Sequence, residues 1–143
     1  MDPTDFFKTA ELLKTHVEEA HLRTSIGRSY YATFLYFREH LRSQGLEKKK
    51  QPSQDAHAFI IKCLQNSNVQ EGKKASTRLH NLRQLRTDAD YRLDKKLSQN
   101  DADDAFAKAK NVIDDYTNNI TPEQETQLIQ NASDFAIKIK SWM

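Results

Sequence analysis

The sequence predicts an all-α fold, a bundle of six helices. The 143 residues include only three glycines and three prolines, and each proline stands where a helix would begin. Apolar residues recur at spacings of three and four along most of the chain, whereas the period-two alternation of strands is absent. A chain of this length has room for one hydrophobic core, so we expect a single domain over residues 1–143.

The composition excludes several classes of protein. The net charge is only +2, so the chain lacks the strong overall basic field that marks many nucleic-acid-binding proteins. Local basic clusters are not excluded by this net charge. The single cysteine, Cys63, excludes an internal disulfide and a cysteine metal site, and its place on the apolar side of a short helix indicates a buried, inert thiol. No long apolar run marks a signal peptide or a membrane span, so we expect a cytoplasmic protein.

Helix one begins with Asp2 and Pro3, which have the pattern of an N-cap followed by proline in the first turn. It is predicted to run to about Glu19. Its apolar residues are expected to form one buried face: Phe6, Ala10, Leu13, Val17 and Ala20.

The central helix is predicted from near Leu22 to Ser43, with Gly45 ending it. It holds five of the twelve Phe and Tyr residues, and so wide an apolar surface requires neighbouring helices on several sides. We expect Arg28 to enter the interior beside the tyrosines. Gly27 suggests close approach of another backbone, although a late start of the helix would also explain it. The buried face is predicted to consist of Ile26, Tyr30, Phe34, Phe37 and Leu41, with Tyr31 and Leu35 beside them.

A basic loop with three consecutive lysines is predicted from Glu47 to Gln54, and a solvated connection is favoured there over a phosphate contact. Helix three is predicted at about Ala56 to Leu64, before the breaking sequence Asn66-Ser-Asn68.

Helix four is predicted from about Lys74 to Leu93. Arg86 lies at the edge of its apolar arc, four residues before Asp90, so the two side chains can pair. An arginine in this position must find a partner or snorkel, because burying an unpaired charge is too costly. The arc itself consists of Leu82, Leu85, Ala89 and Leu93.

Capping patterns begin the last two helices. Ser98-Gln-Asn-Asp101 precedes helix five, which Asn118-Asn119 closes, and Thr121-Pro122-Glu123-Gln124 precedes helix six. Helix five is expected to bury Ala102, Phe106, Ala109, Ile113, Tyr116 and Ile120, and helix six Leu128, Ala132, Phe135, Ile139 and Trp142.

Most catalytic and metal-binding patterns are missing. The five histidines show no pair on one helical face with a carboxylate, so neither a metal site nor a cofactor is predicted. The sequence has no glycine-rich phosphate loop, and its Ser, His and Asp residues are too scattered to argue for a catalytic triad. The pairing of the central helix with helix four remains as the candidate site.

Two segments in these helices carry a resemblance to a known family. Arg28-Ser-Tyr-Tyr-Ala-Thr-Phe34 is similar to the Arg-x-Tyr-Tyr-Ala-x-Phe signature of HEPN (higher-eukaryote and prokaryote nucleotide-binding) domains. Leu82-Arg-Gln-Leu-Arg-Thr-Asp-Ala-Asp-Tyr91 resembles the second conserved segment of a small prokaryotic branch, and His57 stands where that branch often has a histidine. The resemblance covers about Phe6 to Ile120.

The resemblance implies an antiparallel bundle of five core helices, at about residues 3–120, with the helix at 122–143 beyond it. It also implies a homodimer formed through the faces that bear the two motifs. Many members are metal-independent ribonucleases, often toxins encoded beside a nucleotidyltransferase-type antitoxin. Their activity needs an arginine followed a few residues later by a histidine, which acts as general base toward an RNA 2′-hydroxyl.

The chain departs from that pattern at the histidine. Asp90 occupies its position after Arg86, and an aspartate with a pKa near 4 is a poor base at neutral pH. His80 and Arg83 lie three residues apart and are an alternative pair, in reversed order. In members paired with a nucleotidyltransferase the tyrosine after the catalytic histidine is a modification target, a position that Tyr91 takes here.

Three functions are therefore open. The leading one is a HEPN-type module without the full ribonuclease motif that binds RNA, a nucleotide or a partner protein. The second is a ribonuclease toxin that uses Arg86 with Asp90 or His80. The third is a structural subunit in which Arg28, Arg86 and Asp90 form a polar cluster that fixes the helices, the tyrosine hydroxyls serve as partners, and helix six provides an interaction surface. The candidate site residues are Arg28, Tyr30, Tyr31, His80, Arg83, Arg86, Asp90 and Tyr91.

Overall fold

The computed structural model describes residues 1–46 and 56–142, with side chains as far as residue 138. The predicted basic loop from Glu47 to Gln54 lies outside these residues. The described part contains six α-helices and no strand, which confirms the all-α prediction. A short 3-10 turn at Pro3–Asp5 precedes the helices, which are α1 (Phe6–Leu13), α2 (Glu19–Ser43), α3 (Ala56–Gln65), α4 (Gln70–Tyr91), α5 (Gln99–Asn119) and α6 (Pro122–Trp142).

The aromatic helix α2 lies at the centre of the bundle. It packs against α1, α3, α4 and α5, while α6 packs against α3. Tyr30, Phe37 and Leu41 are fully buried, and Ile26 and Phe34 nearly so. The predicted buried face of the central helix is confirmed, because neighbours on several sides cover its wide apolar surface.

Three predicted helix starts are confirmed by their caps, whereas α4 begins at Gln70, four residues before its predicted start at Lys74. Asp2 accepts the backbone N–H of Thr4 at 2.9 Å. Ser98 and Asp101 form a reciprocal capping box at the start of α5. Thr121 and Gln124 do the same for α6, where each side-chain oxygen accepts the other's backbone N–H, at 3.1 and 2.9 Å.

Helix α1 ends at Leu13, so the prediction that helix one continues to about Glu19 was wrong. The chain turns at residues 14–18, and Val17 is 91% exposed. Ala20, also assigned to the buried face, is exposed at the start of α2. Apolar residues keep their helical spacing through the turn at residues 14–18. Periodicity alone does not distinguish one long helix from two helices that meet at a turn.

Helix α4 ends at Tyr91, two residues before the predicted end. Leu93 is 77% exposed beyond it, so its assignment to the apolar arc was wrong. Leu82 and Ala89 are buried as predicted. A projection at 100° per residue holds only while the chain stays helical, and Leu93 lies past that point.

Two glycines have opposite surroundings. A Cβ built on Gly27 would lie 4.0 Å from Arg86 Cγ and from Asp90 Oδ1, which is ordinary contact with side chains, so the expected close approach of another backbone there was wrong. A Cβ on Gly72 would lie 2.8 Å from Leu128 Cδ1 and 3.2 Å from the carbonyl oxygen of Leu64. Gly72 is therefore the position at which helices pack too closely for a side chain.

Cys63 is fully buried in α3, as predicted. Burial raises the pKa of its thiol to about 12, because a thiolate would lose its hydration. Within the described residues, no helix combines the length and the apolarity needed to cross a membrane.

Candidate functional site

The two motif segments meet where α2 faces α4, around the ring of Tyr31. Arg28 lies one turn earlier on α2, and its Cζ is 4.8 Å from the centroid of that ring. Arg86 comes from α4, with its Cζ 5.2 Å from the same centroid. Its Nη2 also donates to the Tyr31 hydroxyl at 3.1 Å. We call these three residues the arginine–tyrosine cluster.

Asp90 is the acidic neighbour of this cluster. Its Oδ2 lies 2.9 Å from Arg86 Nε, one helical turn along α4. The two atoms form an ion pair, although they are not aligned as a hydrogen bond. The Arg86 side chain is 20% exposed and that of Asp90 is 37% exposed, so the pair faces a partly open edge of the bundle.

Arg28 is held by aromatic rings. Besides the Tyr31 ring, its Cζ lies 5.3 Å from the centroid of the Phe6 ring. Its Nε is buried and has no hydrogen-bond partner among the described residues. Cation–π contacts position a guanidinium without neutralising its charge. Two arginines and one aspartate give the cluster and Asp90 a formal charge of +2 − 1 = +1.

Tyr30 borders the cluster, because its ring meets the Tyr31 ring edge to face, with centroids 5.6 Å apart. It is fully buried, and its hydroxyl lies 2.6 Å from His57 Nδ1 on α3. The imidazole stacks on Phe34, with ring centroids 4.0 Å apart. Its ring also meets the Tyr31 ring edge to face, with centroids 5.7 Å apart. Spacing along the chain does not predict this arrangement, because His57 comes from another helix.

Two candidate residues of α4, His80 and Tyr91, lie apart from the cluster. His80 is exposed, and Tyr91 is 72% exposed. Neither has a hydrogen bond or a ring contact with the cluster in the described part of the chain. Arg83 is half-buried one turn before Arg86. The structure therefore brings together Arg28, Tyr31, Arg86 and Asp90, and places His80 and Tyr91 elsewhere.

Arg23 positions the end of α4, a role that was not predicted from the sequence. It is 8% exposed, and its Nη1 donates to the carbonyl oxygens of Ala89 at 2.8 Å and Arg92 at 3.2 Å. Its Nη2 donates to the carbonyl oxygen of Lys95, and its Nε to Glu19 Oε2 at 3.0 Å. The last carbonyl groups of a helix lack partners within the helix, so this guanidinium acts as a C-cap supplied from α2. Only the contact of α2 with the end of α4 reveals this role.

The described residues contain no group of three or more His, Cys, Asp or Glu side chains that could hold a metal ion. The site itself offers two guanidinium groups, a carboxylate, a tyrosine hydroxyl and a nearby imidazole. Guanidinium groups suit planar, bidentate recognition of phosphate oxygens.

Comparison with known proteins identifies the family. The HEPN domain model matches residues 4–120, which include α1 to α5. The chain is also 34% identical to the uncharacterized protein MJ0628 of Methanocaldococcus jannaschii, over 65% of this chain and 64% of that protein, less than two thirds of the relative's length. No solved structure matches the chain significantly. The match to the family model over most of the sequence shows that the chain belongs to the HEPN domain family.

Proposed function

We propose that the protein is a HEPN module that binds RNA, and that the arginine–tyrosine cluster contacts the phosphate backbone. The observation that supports this most directly is the convergence of two guanidinium groups, from α2 and α4, on one tyrosine ring. Membership of the HEPN family, which is associated with ribonuclease or nucleotide-related activity, agrees with such a ligand.

The charges of the cluster favour a polyanion. Arg28 and Arg86 are held by aromatic contacts and by a single carboxylate, which leaves a formal excess of one positive charge. Phosphate contacts position a nucleic acid without reading its sequence, so we expect binding with little sequence preference and a strong dependence on salt.

A purely structural role for the same residues makes a different prediction. A polar cluster that only fixes the register of α2 and α4 should satisfy its buried donors internally. Arg28 Nε is buried without an acceptor in the described residues, which favours a bound anion as its partner.

Fluorescence anisotropy with labelled single-stranded RNA tests the proposal. We expect Arg28→Ala and Arg86→Ala each to weaken RNA binding by about tenfold or more. Each should also reduce the slope of log K against log salt concentration by the amount that corresponds to about one phosphate contact. Arg42→Ala on α2 and Arg78→Ala on α4 are matched controls, because both remove a positive charge from the same helices outside the cluster.

Equal losses in all four variants would show that net charge alone drives binding. No measurable affinity of the wild-type protein for RNA would overturn the proposal. A mononucleotide should displace RNA from the wild-type protein. If it does not displace the RNA that Arg86→Ala still binds, the phosphate contact lies at this cluster.

The proposal includes a homodimer formed through the faces that bear the two motifs, and a nucleotidyltransferase-type protein as a further partner. Its support is the family resemblance, together with the partly exposed edge at Arg86 and Asp90. Light scattering on the purified protein measures the dimer directly, and a monomeric mass at micromolar concentration would contradict that part.

A further inference from the structure

The positive charge of the chain is concentrated in one stretch. Residues 56–87 contain six Lys and Arg side chains against one acidic side chain, a formal charge of +5. Since the whole chain is +2, the other residues together carry −3. The acidic side chain of the stretch, Glu71, is buried at the start of α4. A local excess of this size in an otherwise negative chain is typical of a surface that binds a polyanion.

The stretch folds into α3 and α4, which pack side by side. The Ser76 hydroxyl on α4 donates to the carbonyl oxygen of Ile61 on α3 at 2.9 Å. Lys62 follows Ile61 and is exposed. Lys73 and His80 lie three residues before and four residues after Ser76, and both are exposed. Residues at these spacings share one side of a helix, so three exposed basic side chains lie around the junction of α3 and α4.

These side chains are continuous with the arginine–tyrosine cluster. Arg83 is half-buried on α4 between His80 and Arg86, three residues from each. On the other side of the junction, α3 begins beside the cluster, where the His57 ring meets the Tyr31 ring. Both helices therefore extend from the cluster to the turn that joins them. We call the basic residues along this junction the α3–α4 basic surface: Lys62, Lys73, His80 and Arg83.

The cluster and the far end of this surface are too far apart for one mononucleotide. Lys73 and Arg86 lie on the same helix, and at a rise of about 1.5 Å per residue they are about 20 Å apart along its axis. Successive phosphates of one strand of a duplex are only about 3.4 Å apart along the duplex axis. A nucleic acid that contacts both residues must therefore be several nucleotides long.

The composition of the surface favours a nucleic acid over a protein partner. Thr77 and Gln84, which lie beside the basic residues on α4, are exposed and neutral. The large apolar side chains that are exposed in the described part of the chain lie outside α3 and residues 70–87, for example Leu12, Val17 and Ile137. The centre of a protein–protein interface is usually apolar and poor in charge. Cations separated by neutral polar side chains instead match a phosphate backbone.

We propose that an RNA strand bound at the arginine–tyrosine cluster continues across the α3–α4 basic surface, where Lys62 and Lys73 contact its phosphates. This rests on the RNA binding proposed above and adds a second contact region, which gives the bound strand a path along the molecule. Contacts of this kind are electrostatic and carry no sequence preference. The length of the RNA is therefore the variable that tests the proposal.

The experiment is a fluorescence anisotropy titration of the full chain, at low salt concentration, with labelled single-stranded RNA of about 3 and about 12 nucleotides. We expect Lys62→Ala and Lys73→Ala each to weaken binding of the longer RNA by about threefold or more. Each should also lower the slope of log K against log salt concentration by about one phosphate contact. The affinity for the shorter RNA should stay within about twofold, whereas Arg86→Ala should weaken the binding of both.

Lys110→Ala is the matched control. This exposed lysine belongs to α5 and lies beside Phe7 of α1, so its removal changes the net charge by the same amount at another place. It should bind both RNAs like the wild type. An equal loss in all three lysine variants would show that net charge alone drives binding, and would overturn the proposed path. Circular dichroism checks that each variant is folded.

The outcomes separate this inference from the binding at the cluster. If Arg86→Ala loses affinity while both Lys62→Ala and Lys73→Ala bind the longer RNA like the wild type, the path is wrong and the cluster remains the binding site. Failure of the wild type to bind either RNA would overturn the RNA binding itself. Polyglutamate is the competitor that tests the class of ligand. If it binds as tightly as RNA of equal charge and loses affinity in the same two variants, the surface binds an acidic polypeptide and the inference is wrong.

Discussion

Arg86 has partners of three kinds: the hydroxyl of Tyr31, the face of the same ring, and the carboxylate of Asp90. The Asp90 carboxylate competes with any bound anion, because a carboxylate and a phosphate would both bind the same guanidinium group. Asp90 therefore sets how much positive charge the site offers.

Replacing that carboxylate tests the competition. We expect Asp90→Asn to bind RNA more tightly than the wild type, by about a few-fold, because the formal charge of the cluster with Asp90 rises from +1 to +2. Anisotropy titrations at two salt concentrations measure the change. Asp94→Asn on the following loop is the control, since its partner Arg92 lies outside the cluster. Weaker binding by Asp90→Asn would show that the carboxylate serves the ligand or the fold.

Contacts between residues of one helix can be predicted from the sequence, whereas contacts between residues of different helices cannot. The pairing of Arg86 with Asp90 follows from their spacing of four along one helix, and the structure has it. The approach of His57 to Tyr30 does not follow from any spacing, because it depends on how α3 lies against α2. Contacts between helices are decided by packing, which a single sequence shows only indirectly.

Helix starts were predicted best from the sequence where it contains a capping pattern. Ser98 and Asp101 at α5, and Thr121 and Gln124 at α6, form the capping contacts that their residue types predict. The ends of α1 and α4 have no such local signal. Arg23, from α2, supplies the cap of α4, so its end is a tertiary feature.

Two glycine variants test the packing of the helices. Gly27→Ala should fold at least as stably as the wild type, gaining up to about 1 kcal/mol of helix propensity, because its Cβ would make only ordinary contacts. Gly72→Ala should lose about 1–3 kcal/mol, because its Cβ would clash with Ser67 Oγ and would lie 3.2 Å from the backbone carbonyl oxygen of Leu64. Urea unfolding of the two variants measures both effects.

The pair serves as its own control, because the same substitution is made within a helix at both positions. Equal stabilities would mean that Ser67, Leu64 and Leu128 move away from residue 72 at no cost. A large loss at Gly27 would mean that the α2–α4 contact is tighter than the distances to Arg86 and Asp90 indicate.

At the scale of the whole molecule, α6 is part of the core. Leu128 and Ala132 are fully buried, and Asn131 Nδ2 donates to the carbonyl oxygen of Ser67 at 2.6 Å. At its start, the Glu125 carboxylate pairs with His40 on α2. A helix held in this way at several points closes the bundle over α3.

Leu128 provides the test of that closure. We expect Leu128→Ala to cost about 2–5 kcal/mol of unfolding free energy, the range for a fully buried leucine whose removal leaves a cavity. Ile137→Ala, at a residue of the same helix that is 66% exposed, should cost little. Denaturant titration measures both, and similar stabilities for the two variants would show that α6 adds nothing to the core. Light scattering on the same samples reports whether either residue affects the mass of the assembly.

The cap that Arg23 places on α4 has a consequence for the site. Helix ends open more readily than helix interiors, and Asp90 lies in the last turn of α4, next to its final residue Tyr91. The carboxylate beside Arg86 is therefore held in place only while that turn stays closed. A substitution at Arg23 should first speed amide hydrogen exchange in the last turn of α4. The Asp90 carboxylate would then move away from Arg86, although no residue of the site itself had been altered.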